Sequence, residues 1–193
     1  MMVKNYTDSQ LLARVRKLSN YIKIPDNYWI LGIRSKVDEF DKFDDKFYLF
    51  KGEQFIIVMS GTTNPGKSGL LDPEKYNSNG VAVVVADKWY YNVWTRGMHN
   101  GKVIAYRQTG GIDLLRDKNK NQKSGDVNNS SVEYNRGINF HSSDYNLDSK
   151  IKKTNIGAWS VGCQVVNDIP KYKELMNTTR LQSVMSYCLI NEF

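Results

Sequence analysis

Apolar residues at Leu11, Leu12, Val15 and Leu18 fall on one face of a 3.6-residue period, which predicts an amphipathic helix near the N-terminus. Asp8 is placed to cap it, it runs to about Asn20, and Pro25 prevents continuation. Beyond that point the pattern changes to short runs rich in aromatic and β-branched residues. Tyr28–Ser35, Lys46–Phe50 and Gln54–Ser60 read as strands, with Lys51-Gly52-Glu53 as the hairpin turn between the last two. Val81–Ala86, Trp89–Thr95, Val103–Gln108, Gly111–Leu115, Gly137–His141 and Ser183–Ile190 continue the series. Pro170 opens a second short helix that reaches about Asn177.

Polar stretches separate these elements. Gly61–Asn79 is turn-rich and too long for a simple hairpin, the kind of loop that often carries function. Asp117–Ser131 reads as an exposed loop, and Ser142–Asn155 is again polar. The pattern predicts a mostly β domain, a sandwich or barrel with two or so small helices. Residues 1–27 form an N-terminal helical extension and residues 28–193 the main domain.

Composition narrows the function. With 193 residues, 40% of them hydrophobic, the chain can bury a core without metals or disulfides. The net charge of +7 favours polyanionic surroundings, among them the polymers of a cell envelope. The basic stretches Arg116–Lys123 and Lys150–Lys153 are short and interrupted, and no nucleic-acid motif accompanies them, so a nucleic-acid partner is not expected. The first 18 residues lack the apolar region of a signal peptide, and no run is long enough to span a membrane. Synthesis in the cytoplasm is expected, and a substrate outside it would require separate delivery. The two cysteines and two histidines lack zinc-site spacing, so neither metal nor cofactor is expected.

Two segments suggest chemistry. Gly137-Ile138-Asn139-Phe140-His141-Ser142 delivers a histidine at the end of an apolar run. Trp159-Ser160-Val161-Gly162-Cys163-Gln164 places a cysteine after a glycine, 22 positions beyond that histidine. A free thiol is only slightly ionised at neutral pH, so a cysteine nucleophile needs a neighbouring base to take its proton and hold the thiolate as an ion pair. Asn139 and Tyr134 flank the histidine strand and are candidates to line a cleft. Arg107 and Arg136 are candidate clamps for a substrate carboxylate. Cys188 reads as a core residue and His99 as an exposed turn histidine. The cluster Trp89, Tyr90, Tyr91 and Trp94 reads as core on one face.

These landmarks resemble the L,D-transpeptidase (YkuD-like) family, in a divergent branch similar to phage-encoded members. Phe140-His141-Ser142 resembles the family's histidine strand, and Ser160-Val161-Gly162-Cys163 its Ser/Thr-His-Gly-Cys motif. Val58–Gly66 resembles the strand and Thr-Pro-x-Gly-like turn that precede them, in the same order. The resemblance implies a Cys163 nucleophile, a His141 base and an oxyanion site made by the N–H groups of Gly162 and Cys163. It implies Ser142 or Ser160 orienting the imidazole and a peptidoglycan stem peptide as partner; Ser160, Trp159, Asn139 and Arg136 are the expected substrate contacts. It implies action at the cell wall, reached by lytic release or in a virion. Val161 stands where the family usually has a second histidine, and Gln164 and Val165 depart from the residues that usually follow the cysteine. The rival expectation is a structural or envelope-binding protein that keeps the fold without the chemistry.

Overall fold

The N-terminal helix forms as the periodicity predicts, with its ends moved. A computed structural model describes residues 2–124, 130–134 and 137–193, with 130–132 described by backbone alone. Helix α1 spans Asp8–Arg16. Thr7, not Asp8, is its cap: Gln10 N–H donates to Thr7 Oγ1 (3.3 Å) and Thr7 N–H to the Gln10 side chain (2.9 Å), a reciprocal capping box. Asp8 is instead the first helical residue, where its charge complements the helix dipole. Leu11, Leu12 and Val15 are buried, each contributing about 1.5–3 kcal/mol on going from exposed to buried.

Eight strands close into a barrel. Those that follow α1 in the first half of the chain are β1 (Tyr28–Arg34), β2 (Asp45–Lys51) and β3 (Gln54–Thr62). Helix α2 (Lys67–Leu71) and strand β4 (Val81–Val84) come next, then β5 (Lys88–His99), β6 (Val103–Gln108), β7 (Ile112–Asp117) and β8 (Ser130–Glu133). The chain ends with β9 (Phe140–Ser142), β10 (Gln164–Val166), α3 (Ile169–Thr178) and β11 (Val184–Asn191). Around the barrel the order is β1-β11-β5-β6-β9-β10-β3-β2, and β4-β7-β8 form a separate three-stranded sheet. The pairs β1–β11 and β9–β10 run parallel, and the other barrel pairs antiparallel.

Strand alternation divides the core in two. Ile30, Phe47, Leu49, Met59, Trp94, Phe140, Val166 and Tyr187 join one cluster, which α3 closes through Tyr172, Leu175 and Met176. The opposite faces of the same strands, through Trp29, Leu31, Ile33, Phe50 and Cys188, pack with α1 residues in a second cluster. The N-terminal extension thus shares a core with the barrel wall. Among the described residues no helix is long and apolar enough to cross a membrane.

Differences from the sequence expectation have local causes. There are three α-helices among the described residues, because α2 and a 3-10 turn at Pro73–Lys75 fold within the stretch expected to be irregular. The expected loop at Asp117–Ser131 loses its ends to sheet pairing, since β7 extends to Asp117 and β8 starts at Ser130. The strand expected over Gly137–His141 shrinks to Phe140–Ser142. Its preceding backbone is satisfied by side chains: Ile138 N–H donates to Gln108 Oε1 (3.1 Å) and the Trp94 indole donates to Ile138 O (2.8 Å).

Candidate functional site

Because Phe140 points into the barrel, His141 points out of it. The parallel pairing of β9 with β10 sets Gln164 beside Phe140 and Val165 beside His141, and Gln164 N–H donates to Asn139 O (2.8 Å). Cys163 directly precedes β10 and packs in one cluster with Val165, the residue beside His141, which brings it to the same outer face. Phe43, Ile156 and Val165 pack around Cys163, with half-buried Trp159 at the rim. The buried Asp41 carboxylate ties this roof together: it accepts from Lys67 N (2.9 Å), Gly157 N (2.6 Å) and the Asn155 amide (3.1 Å).

The protonation of His141 follows from its partner. Its Nδ1 lies 2.8 Å from Ser142 O, and a carbonyl only accepts, so Nδ1 carries the proton and Nε2 the lone pair. Nε2 is buried and has no hydrogen-bond partner among the described residues. Burial, and then the proximity of His99, push the His141 pKa down to about 3. Ser142 thus orients the imidazole with its main chain, while its hydroxyl donates to Asp144 O (2.5 Å).

Cys163 is 7% exposed. Its Sγ donates to Gly137 O at 3.1 Å, and burial pushes its pKa up to about 11. The ion pair expected from the sequence is thus replaced, at rest, by a neutral thiol and a neutral imidazole. Desolvation penalises both charged forms, and the thiol has found a carbonyl rather than the base.

The turn before Cys163 is fixed from within. Ser160 Oγ accepts from Gly162 N–H (3.1 Å) and donates to Cys163 O (2.8 Å), so Ser160 staples the turn and is spent on it rather than on imidazole or substrate. The Gly162 N–H is therefore not free for an oxyanion, whereas that of Cys163 makes no hydrogen bond among the described residues. Gly162 itself has φ +139°, and a Cβ there would lie 2.7 Å from Ala82 Cβ and 2.9 Å from Ala82 O.

Gln164 turns into the barrel beneath this turn. Its Nε2 donates to Gly162 O (3.2 Å) and Thr63 O (3.4 Å), and its Oε1 accepts from Tyr187 OH (2.7 Å). The Thr62–Gly66 turn closes on the same place: Gly66 N–H donates to Ser160 O (2.9 Å), and a Cβ on Gly66 would sit 2.5 Å from Gly157 O. The three landmarks, distant in sequence, meet at one point.

Beside Cys163 lies a cavity of about 100 Å³, bounded by Tyr76, Gly80, Ala82, Gly137, Val161 and Arg116. Arg116 makes a two-pronged pair with Glu133 (2.9 and 2.6 Å). A larger hollow of about 540 Å³ opens around Asn27, Lys51, Arg180 and Leu181, but contains no cysteine, histidine or carboxylate to react. Of these two, the smaller is the one lined by a cysteine.

The remaining candidates divide. Asn139 is held by its neighbours: its Oδ1 accepts from Gln108 N–H (3.0 Å) and its amide nitrogen faces His99 Nδ1 (3.1 Å), so its side chain serves His99. Trp159 meets Tyr145 edge-on at 5.0 Å, with Lys153 over its face. Arg136 lies outside the described residues. His99, expected to be an exposed turn residue, is half-buried and stacks on His141 with ring centroids 3.8 Å apart and planes 12° from parallel. Its place was missed because β5 runs on past Thr95 to His99, although the β5–β6 hairpin signal His99-Asn100-Gly101 was visible. Gln164 was read only as a departure; a buried glutamine inside a barrel needs partners, and these are they. Among the described residues no cluster of three or more His, Cys, Asp or Glu is arranged to hold a metal ion.

Comparison with known proteins gives no relative to reason from: no family model, curated protein or solved structure matches the chain.

Proposed function

We propose that the protein is a cysteine-dependent acyltransferase or hydrolase of the L,D-transpeptidase type, acting on peptidoglycan stem peptides. The observation that carries the reading is the tautomer of His141. Its Nδ1 proton is committed to the Ser142 carbonyl, which leaves an unpartnered Nε2 lone pair on the outer face that also carries Cys163. A general base needs that lone pair and that neighbour.

In the proposed reaction the Cys163 thiol rotates away from Gly137 O and gives its proton to Nε2 as sulfur attacks the substrate carbonyl. The Cys163 N–H donates to the oxyanion. Collapse breaks the C–N bond, and the departing amine takes the proton back from His141. The thioester is then attacked by a second amine or by water, with His141 again accepting the proton and returning it to Cys163 Sγ as the C–S bond breaks. The cavity of about 100 Å³ beside Cys163 suits a small side chain, as an alanine-containing peptide would present. The order and convergence of the three landmarks support the peptidoglycan assignment. We place its action at the cell wall, reached by lytic release or carriage in a virion.

One observation favours the rival reading of a structural or envelope-binding protein: at rest the thiol is protonated and bound to a carbonyl. Intact-mass spectrometry separates the two. Wild type and Cys163→Ala are incubated with a disaccharide-tetrapeptide and with a carbapenem. The enzyme reading expects a covalent adduct and a cleaved or exchanged peptide from wild type alone. A folded wild type that gives neither, or an alanine variant that still turns over, overturns it.

A further inference from the structure

We propose that His99 is a positioning residue for His141: a neutral ring held flat against the base, fixing the plane in which Nε2 meets the thiol. The proposal rests on the thiol–imidazole reading above.

The charge state of His99 is set by the direction of its hydrogen bonds. Gln108 N–H donates to Asn139 Oδ1 (3.0 Å), which turns the Asn139 amide nitrogen toward His99 Nδ1 (3.1 Å). An N–H facing a ring nitrogen requires a lone pair there, so Nδ1 is unprotonated and the proton sits on Nε2. The Asn100 amide nitrogen also lies 3.1 Å from Nε2, and since a neutral ring keeps one N–H, this exposed amide, unlike the one fixed by Gln108, turns its oxygen to that proton. A doubly protonated His99 would point Nδ1–H at the N–H of Asn139. Burial and the Arg107 charge push in the same direction, holding His99 below the ordinary imidazole range. Among the described residues, the titratable and charged groups that act on His99 are His141 on β9 and Arg107 on β6, with Asn139 and Asn100 as its polar contacts.

Neutrality matters because of the stack. At 3.8 Å between centroids, a charged His99 would oppose the imidazolium that forms when His141 takes the thiol proton. A neutral aromatic face accepts a cation over it. His141 is then pinned at Nδ1 by the Ser142 carbonyl and on its face by His99, which leaves its ring little freedom to swing Nε2 away from the thiol. His99 does this without touching the reacting atoms.

The test combines kinetics with nitrogen NMR of both imidazoles in wild type, His99→Ala and His99→Phe. In wild type, His99 should show a protonated Nε2 and His141 a protonated Nδ1. His99→Ala should lower kcat about tenfold with KM within about twofold, the effect of a lost face contact on the transition state. The His141 signals should broaden or shift in that variant, and His99→Phe, which restores a flat face, should return kcat to within about threefold of wild type. Unchanged kcat and unchanged His141 signals in His99→Ala would overturn the proposal, as would a His99→Phe protein as slow as His99→Ala. If the wild type has no turnover, the enzyme reading fails, and the NMR signals alone decide the positioning claim: disturbance in His99→Ala upholds it and identity with wild type refutes it.

Discussion

Cys163 and Cys188 are both free and both buried, yet they occupy different chemical worlds. Cys188 lies on β11 between Leu31 of β1 and Trp89 of β5, in the apolar cluster shared with α1. Burial pushes its thiol well above the ordinary range. Cys163 is also raised by burial, but it lines a cavity, donates to the Gly137 carbonyl and shares a face with a tautomer-locked histidine. Burial therefore does not separate the two thiols. The hydrogen-bonding neighbours do, because they decide whether a proton has somewhere to go.

The sharpest way to break this comparison is to remove each sulfur in turn. Cys163→Ala should reduce turnover of a stem peptide by about a thousandfold or more, the scale on which losing a nucleophile acts. Cys188→Ala should leave kcat within about twofold and cost roughly 1–2 kcal/mol of stability from the cavity it opens. Equal losses of activity, measured by product formation on the same substrate, would make the two thiols equivalent and remove the case for a nucleophile.

Serine replacements sharpen the difference through stability. A hydroxyl at position 188 would enter an apolar cluster, at a cost of about 1–3 kcal/mol. At position 163 it would inherit the Gly137 carbonyl, and the cost should stay below about 1 kcal/mol. Urea midpoints at constant m-value give both numbers. A penalty at 163 as large as at 188 would mean that the carbonyl is not the thiol's partner.

The acid limb of stability tests the charge state of His141. His141 has a folded pKa near 3, below its unfolded value of about 6.5. The unfolded chain therefore binds the proton first as pH falls. The contribution of neutral His141 is full above about pH 6.5 and is lost progressively as pH falls through the folded pKa, by at most about 1.4 kcal/mol per pH unit. His141→Gln, whose amide can still reach the Ser142 carbonyl, removes that slope. Parallel stability curves for wild type and variant between pH 7 and 4 would mean that His141 is not a buried neutral base.

Much of this arrangement was legible in the chain, and the reasons it stopped being legible are local. The periodicity of Leu11, Leu12 and Val15 and the aromatic and β-branched content of Gln54–Ser60 pointed to helix and strand because each signal is local in the chain. Cys163 and His141 were found as types of residue in a family-like order. What could not be read was which atom of each neighbour they use. Ser142 acts through its carbonyl rather than its hydroxyl, and Ser160 is consumed by its own turn. Asn139 serves His99, and Gln164 faces inward to Tyr187. Each of these depends on register and side-chain direction set by strands far apart in sequence. His99 escaped for the same reason, since β5 ends beside β9 only once the barrel closes.

Alkylation gives the smallest effect and the finest distinction. With its pKa near 11, about one Cys163 in a thousand is ionised at pH 8, so the native thiol should react slowly with iodoacetamide and gain about tenfold per pH unit up to pH 10. Cys188 should be slower still, because it is fully buried in an apolar cluster and burial pushes its thiol well above the ordinary range, while in urea both should label at the rate of a free thiol. The contrast between the native rates, followed by intact mass and peptide mapping, measures access and ionisation separately. A Cys163 that labels rapidly at pH 7 would show a thiolate–imidazolium pair already formed at rest. That outcome would place the thiol proton on His141 Nε2 before substrate arrives, and would make the bond to Gly137 a minor arrangement of the side chain.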